Sequence, residues 1–198
     1  MDWNSLINGF RQYISLEKGL SNHTRLAYVS DLRKLEWYFN EQELKLSPID
    51  LKPQNVIDFI IYLNSLGIGE RSQARMLSSI RAFFKYLLIE DLIQVEPTEL
   101  IQGPKLPITY PEVLSVEEVE NFLSVIDLSD PHGHRNRAMF ETLYACGLRV
   151  SEMITLKLAG YFPDIGFVRV IGKNNKERIV PIGETAIQQI NFYLEGER

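Results

Sequence analysis

Two basic residues combine type and position in a way that suits phosphate chemistry. In the run Leu143-Tyr144-Ala145-Cys146-Gly147-Leu148-Arg149-Val150-Ser151-Glu152, Arg149 follows a glycine break and opens a new helical pattern. A cation is unfavourable in a first turn, where the peptide dipoles already present positive charge. It either needs a compensating acid or serves to concentrate positive potential on an anion. Glu152, three residues on, shares its face and can hold the guanidinium in place. A plain surface Arg–Glu pair, worth a few tenths of a kcal/mol, is the other reading. Lys173 follows the strand-like Val168–Ile171 on a glycine-led turn, just before Lys176, Glu177 and Arg178. A lysine there is mobile enough to enter an opposing groove, although turn lysines are also common as solubilising residues.

A third basic feature lies upstream. Placed on a wheel of about 100° per residue, the segment 70–90 puts Met76, Leu77, Ile80, Phe83, Phe84, Leu87 and Leu88 on one side. Arg71, Arg75, Arg81 and Lys85 occupy an arc of roughly 120° on the other. No acidic residue lies between Glu70 and Glu90, so these cations have no partner within the helix. Solvated helix faces usually mix signs. The intervening Ala74, Ser78 and Ala82 are small enough for close approach to a surface, which suits a DNA backbone. Pairing with acids from another helix, or simple solvation, remains open. A membrane surface fits less well, because the bundle needs the apolar side.

These residues must be positioned by ordinary globular structure. The chain has 198 residues, 45% apolar and 24% charged, with 12 Gly and 9 Pro, which excludes disorder, collagen-like repeats and a disulfide scaffold. Apolar stretches such as Phe59–Leu63 fall far short of the roughly 20 residues that span a bilayer. Met1-Asp2-Trp3-Asn4 lacks the opening of a signal peptide. The lone Cys146 reads as a small buried hydrophobe and fits a reducing cytosol, so a cytoplasmic location is expected. Net charge is −5, with 12 basic and 13 acidic residues over 1–105 and 9 and 13 over 106–198. Neither part is basic, and binding depends on where the charges lie.

Residues 1–92 read as four helices. Asp2 caps the first, Ser21-Asn22-His23-Thr24 starts the second, Pro53 the third and Glu70 the fourth. Pro97, Pro104, Pro107 and Pro111 mark residues 93–112 as an extended linker. Beyond it, Ser115-Val116-Glu117-Glu118 carries a capping box. Helices are expected to about Ile126, from about His134 to Cys146, and from about Arg149 to Leu156. Strands over 166–171 and 177–182 form a hairpin through Gly172-Lys173-Asn174-Asn175-Lys176, and a last helix runs from Thr185 to about Leu194.

Together, a helical domain, a proline-rich linker, LYACGLRVSE and the VRVIGKNNKERIVPIG hairpin resemble a Xer-type tyrosine recombinase of the phage integrase family, over nearly the whole chain. The resemblance implies a mainly α fold with a small β-sheet. Residues 1–92 would be a SAM-like core-binding domain, and 113–198 the first part of an α+β catalytic domain. It implies a C-shaped clamp on double-stranded DNA and a tyrosine that attacks the scissile phosphate to give a 3′-phosphotyrosyl link. Carried over by motif, Arg149 would stabilise charge on the phosphorane and Lys173 would protonate the leaving 5′-oxygen. Glu152 matches the acidic position that supports the arginine. Arg25, Arg71, Arg75, Arg81, Lys85, Lys176 and Arg178 would contact DNA. No metal or other cofactor is required, since fixed cations supply the charge. Family partners are the same or related recombinase subunits, as a tetramer on two DNA sites; this chain alone is expected to be a monomer.

The family's remaining elements, a His-x-x-Arg box, a later His or Trp and the nucleophilic tyrosine, follow the hairpin. No histidine follows His134 here, and the only tyrosine after the hairpin, Tyr193, shares an amphipathic pattern with Ile187, Ile190 and Leu194. The expectation is a truncated chain that cannot cleave DNA by itself. Two departures stand out: Ala159-Gly160-Tyr161-Phe162-Pro163 replaces a polar approach to the first strand, and Asn174 replaces a common glycine. His132-Gly133-His134 lacks the cysteines or carboxylates of a metal site, and His23 reads as part of a capping turn or as a phosphate contact. Two other classes of function stay open: a non-catalytic DNA-binding accessory protein, and a helical module meeting an acidic protein partner.

Overall fold

The computed structural model describes residues 1–107, 110–172 and 175–196. The chain divides into two compact units, with the boundary between residues 109 and 110. The first unit contains α1 (Trp3–Leu16), α2 (Asn22–Glu41), α3 (Pro53–Ser65) and α4 (Glu70–Ile89). Each start follows from local chemistry. The Asp2 carboxylate accepts from the Ser5 N–H at 2.7 Å, and Ser21 Oγ accepts from the Thr24 N–H at 3.3 Å. Pro53 opens α3, where a missing N–H costs nothing.

The apolar stripes of these helices meet in one core, in which Phe10, Phe39, Phe59, Phe83 and Phe84 are fully buried. Burying each such ring contributes about 2 kcal/mol. The rings also interlock: Phe10 meets Phe83 edge-on at 5.5 Å between centroids, and Trp3 stacks on Phe39 at 6.2 Å. The Trp3 indole N–H donates to the Leu46 carbonyl at 2.9 Å, satisfying the one polar atom of that side chain. The first part of the proline-rich segment belongs to this unit. Leu92 and Ile93 pack on the core, and Thr98 and Ile101 are buried. Apolar side chains hold the backbone there even though its prolines exclude a helix.

The second unit contains α5 (Val116–Ser124), α6 (Gly133–Cys146), α7 (Val150–Ile154), β1 (Tyr161–Phe162), β2 (Phe167–Ile171), β3 (Glu177–Pro181) and α8 (Glu184–Gly196). Its sheet is antiparallel in the order β1-β2-β3. In the register, Tyr161 faces Val168, Val168 faces Val180, and Val170 faces Arg178. Period-two alternation buries Val168 and Val170 against Cys146, Ile182 and Ala186, while Phe167, Arg169 and Ile171 point outward. The third strand comes from the stretch whose sequence departs from the family. Tyr161 and Phe162 pair along the free edge of β2, and Pro163–Ile165 then turn the chain back.

α7 is shorter than the spacing suggests, ending at Ile154, and Arg149 is its N-cap rather than a helical residue. His134 sits in the first turn of α6, half-buried with its ring 6.2 Å from that of Phe192. A groove of about 470 Å³ between α6, α7, β1 and α8 is lined by Met139, Met153, Leu156, Tyr161, Ile190 and Tyr193. Tyr193 is partly buried and lines this groove beside Ile190 and Leu194 of its own helix. Among the described residues no helix is long and apolar enough to cross a membrane.

Candidate active site

The α6–α7 corner is built by Gly147, which closes α6 in the left-handed conformation (φ 56°, ψ 40°), a geometry that strains any residue with a β-carbon. The Leu148 N–H returns to the Leu143 carbonyl at 3.2 Å, ending one helix so that the next begins within three residues. Arg149 therefore stands at an exposed corner with 68% of its side chain accessible, whereas Glu152 is only 3% exposed.

Four N–H groups converge on the Glu152 carboxylate. Oε2 accepts from the Arg149 backbone N–H at 2.9 Å and from Arg178 Nη2 at 2.8 Å. Oε1 accepts from Arg149 Nη1 at 2.9 Å and from Arg178 Nη1 at 2.7 Å. A carboxylate offers about four lone-pair sites, so its capacity is filled. The fork from Arg178, then the Arg149 N–H, hold the Glu152 carboxyl well below the usual carboxylate range, against the opposing effect of burial. Burial of a charge is tolerable here because both oxygens are fully bonded. Two guanidinium groups around one carboxylate leave one positive charge in excess, and the more exposed of the two cations is Arg149.

The hairpin reaches the same place through Gly172. Its N–H donates to the Lys176 carbonyl at 2.7 Å, closing the turn. A β-carbon on Gly172 would lie 3.0 Å from Arg178 Nη1 and 3.2 Å from Glu152 Oε1, so the backbone entering the turn runs against this ion pair. Lys173 and Asn174 lie outside the described residues. Lys176 is exposed, and Arg178 is partly covered with its guanidinium engaged by Glu152.

The basic residues of the helical unit divide into two kinds. Arg71, Arg75 and Lys85 are exposed on α4, and Arg81 is half-buried. Arg75 pairs with Asp31 of α2, whose Oδ2 also accepts from the Ser79 hydroxyl at 2.7 Å. Arg81 donates to the Ile101 carbonyl, and Arg25, in the first turn of α2, donates to Ser15 Oγ of α1. Pairing across helices, left open by the sequence, therefore applies to Arg75. Asp31 escaped the sequence reading, although a signal exists: it lies three residues from Tyr28 and beside Leu32, on the buried side of α2. Among the described residues, no three His, Cys, Asp or Glu side chains gather as a metal site.

Comparison with known proteins covers both units. Residues 7–91 match the family described as phage integrase, N-terminal SAM-like domain, and residues 112–197 match the phage integrase family. The tyrosine recombinase XerD of Staphylococcus epidermidis is 41% identical over 196 residues, which is 98% of this chain and 66% of that protein. The tyrosine recombinase XerD of Listeria innocua is 38% identical over 195 residues, again 98% of this chain and 66% of that protein. The chain thus spans slightly less than two thirds of the length of these curated relatives. Among solved structures, a lambda integrase dimer bound to a COC′ core site shares the fold, with a TM-score of 0.74 at 15% identity, covering 99% of this chain and 70% of that one.

Proposed function

Because the chain belongs to the phage integrase family, the tyrosine recombinases, we propose that it serves site-specific cutting and rejoining of duplex DNA through a 3′-phosphotyrosyl intermediate. The observation that carries this reading is the Glu152 node, which holds the exposed Arg149 at the α6–α7 corner within the segment that matches the catalytic-domain family. In the proposed reaction the Arg149 guanidinium binds the scissile phosphate and stabilises the charge that grows as the phosphorane forms. Preorganised donors of this kind commonly lower such barriers by about 3 kcal/mol each. Lys173 gives its proton to the departing 5′-oxygen. Arg71, Arg75 and Lys85 neutralise backbone phosphates from the helical unit, independently of base sequence. The proposed setting is the cytoplasm, with the protein a monomer in free solution and joined by further recombinase subunits on DNA.

The 198 residues supply these two catalytic cations, but after the hairpin they contain no histidine, and their only tyrosine there is Tyr193, which shares an amphipathic pattern with Ile190 and Leu194 and lines the same groove. The polypeptide alone therefore binds duplex DNA without cleaving it. Incubation with a nicked suicide duplex, followed by denaturing electrophoresis, is the test. Salt-sensitive retention without a covalent adduct is expected. A covalent adduct overturns the assignment of Tyr193 to packing, and absence of any duplex binding overturns the DNA reading itself.

A further inference from the structure

We propose that Arg178 is a positioning residue: by forking onto both oxygens of Glu152 it fixes the carboxylate that orients Arg149, making the hairpin and the α6–α7 corner one unit. This rests on the reading of Arg149 as the phosphate-facing guanidinium, and it moves Arg178 away from direct DNA contact.

The geometry requires a second holder for Glu152. Arg149 contributes one backbone and one side-chain donor, at 2.9 Å each, but both come from the same residue, and its side chain is 68% exposed. Such a pair three residues apart at a surface is ordinarily soft. Arg178 approaches from β3, twenty-six residues further along the chain, with the two shortest bonds of the set at 2.7 and 2.8 Å. A planar fork constrains the carboxylate plane as well as its position, which a single donor cannot do. The Gly172 backbone runs close to both partners, since a β-carbon there would lie 3.0 Å from Arg178 Nη1 and 3.2 Å from Glu152 Oε1. The register then matters: Arg178 faces Val170 across the ladder, so the buried valine anchors the backbone that carries the fork.

The test uses the 198-residue protein without DNA and reads the rotation of the Arg149 guanidinium by nitrogen-15 NMR. In Arg178→Gln that rotation is expected to accelerate about tenfold or more, the factor that corresponds to losing a charge-assisted hydrogen bond. Arg178→Lys should release it too, because an ammonium cannot hold two oxygens in one plane. Unchanged amide shifts at Val168 and Val170 separate this from loss of the hairpin. Should Arg178→Gln fail to fold, Glu152→Gln serves instead: it must free Arg149 to the same degree, and adding Arg178→Lys must cause no further acceleration. An Arg149 signal indifferent to Arg178→Lys, with the hairpin intact, overturns the proposal, as does further acceleration in that double variant. A duplex that binds without perturbing Arg149 would instead remove the phosphate-facing reading while leaving the positioning role standing.

Discussion

Asp31 on α2 lies beneath Arg75 on α4, with Oδ2 shared between the Arg75 guanidinium and the Ser79 hydroxyl. Asp31 is 1% exposed, whereas 44% of the Arg75 side chain remains accessible, so the acid is structural and the base still faces outward. The pair fixes one cation of the α4 stripe at a defined point. Asp31→Ala should therefore destabilise the helical unit by about 1–3 kcal/mol, leaving the buried Ser79 hydroxyl with a poorer acceptor. Urea unfolding checks this. The same change should not weaken DNA binding, because it removes a negative charge and leaves Arg75 in place.

Removal of the cations has the opposite consequence. Arg75→Ala and Lys85→Ala should each weaken duplex binding across unrelated sequences and lower the log–log salt slope by about 1. Arg81→Ala should weaken binding less steeply with salt and also cost stability, because its guanidinium ties the Ile101 carbonyl to α4. Fluorescence anisotropy over a series of salt concentrations separates the two behaviours.

The depressed acidity of Glu152 makes a signed pH prediction. Its folded carboxyl takes up a proton less readily than the same group in the unfolded chain, whose ordinary value is 4.5. The associated stability is present in full above that value and is lost as pH falls through and below it toward the folded value. Glu152→Gln removes this dependence. The stability gap between wild type and Glu152→Gln should be widest near neutral pH and should shrink steadily from about pH 5 to about pH 3. Thermal melts of both proteins across that range provide the measurement.

Gly172→Ala should disturb the node without replacing a charged residue. The added methyl would sit 3.0 Å from Arg178 Nη1 and 3.2 Å from Glu152 Oε1, tighter than ordinary contact. Relief requires the Arg178 guanidinium and the Glu152 carboxylate to give way by a few tenths of an ångström, which loosens the fork. A loss of about 1–2 kcal/mol is expected, as for other overpacked sites. The signature is a faster Arg149 guanidinium by NMR together with a preserved β2–β3 ladder.

Much of this arrangement was readable from the sequence, and the exceptions have physical causes. The limits of α4 follow from an apolar stripe bounded by glycine and acid, and the capping box at Ser115 marks the start of α5; both signals are local. Arg149 and Glu152 were readable as partners because three-residue spacing puts them on one face. The engagement of Arg178 was not readable. A basic run after a turn looks like a solvated surface, and only the register that sets Val170 opposite Arg178 brings that residue to Glu152. β1 was missed because two residues ending at a proline have no strand signal of their own; the free edge of β2 supplies their pairing. Asp31 was overlooked because the partner of Arg75 lies forty-four residues away on another helix.

The structure of this chain on a duplex carrying its recognition site tests the central claim most directly, through the distances from the Arg149 guanidinium and the Lys173 ammonium to the DNA phosphates. Both groups should lie within about 3 Å of oxygens of a single phosphodiester. Contact of the two cations with separate phosphates, or an Arg149 side chain directed away from the duplex, would contradict the account.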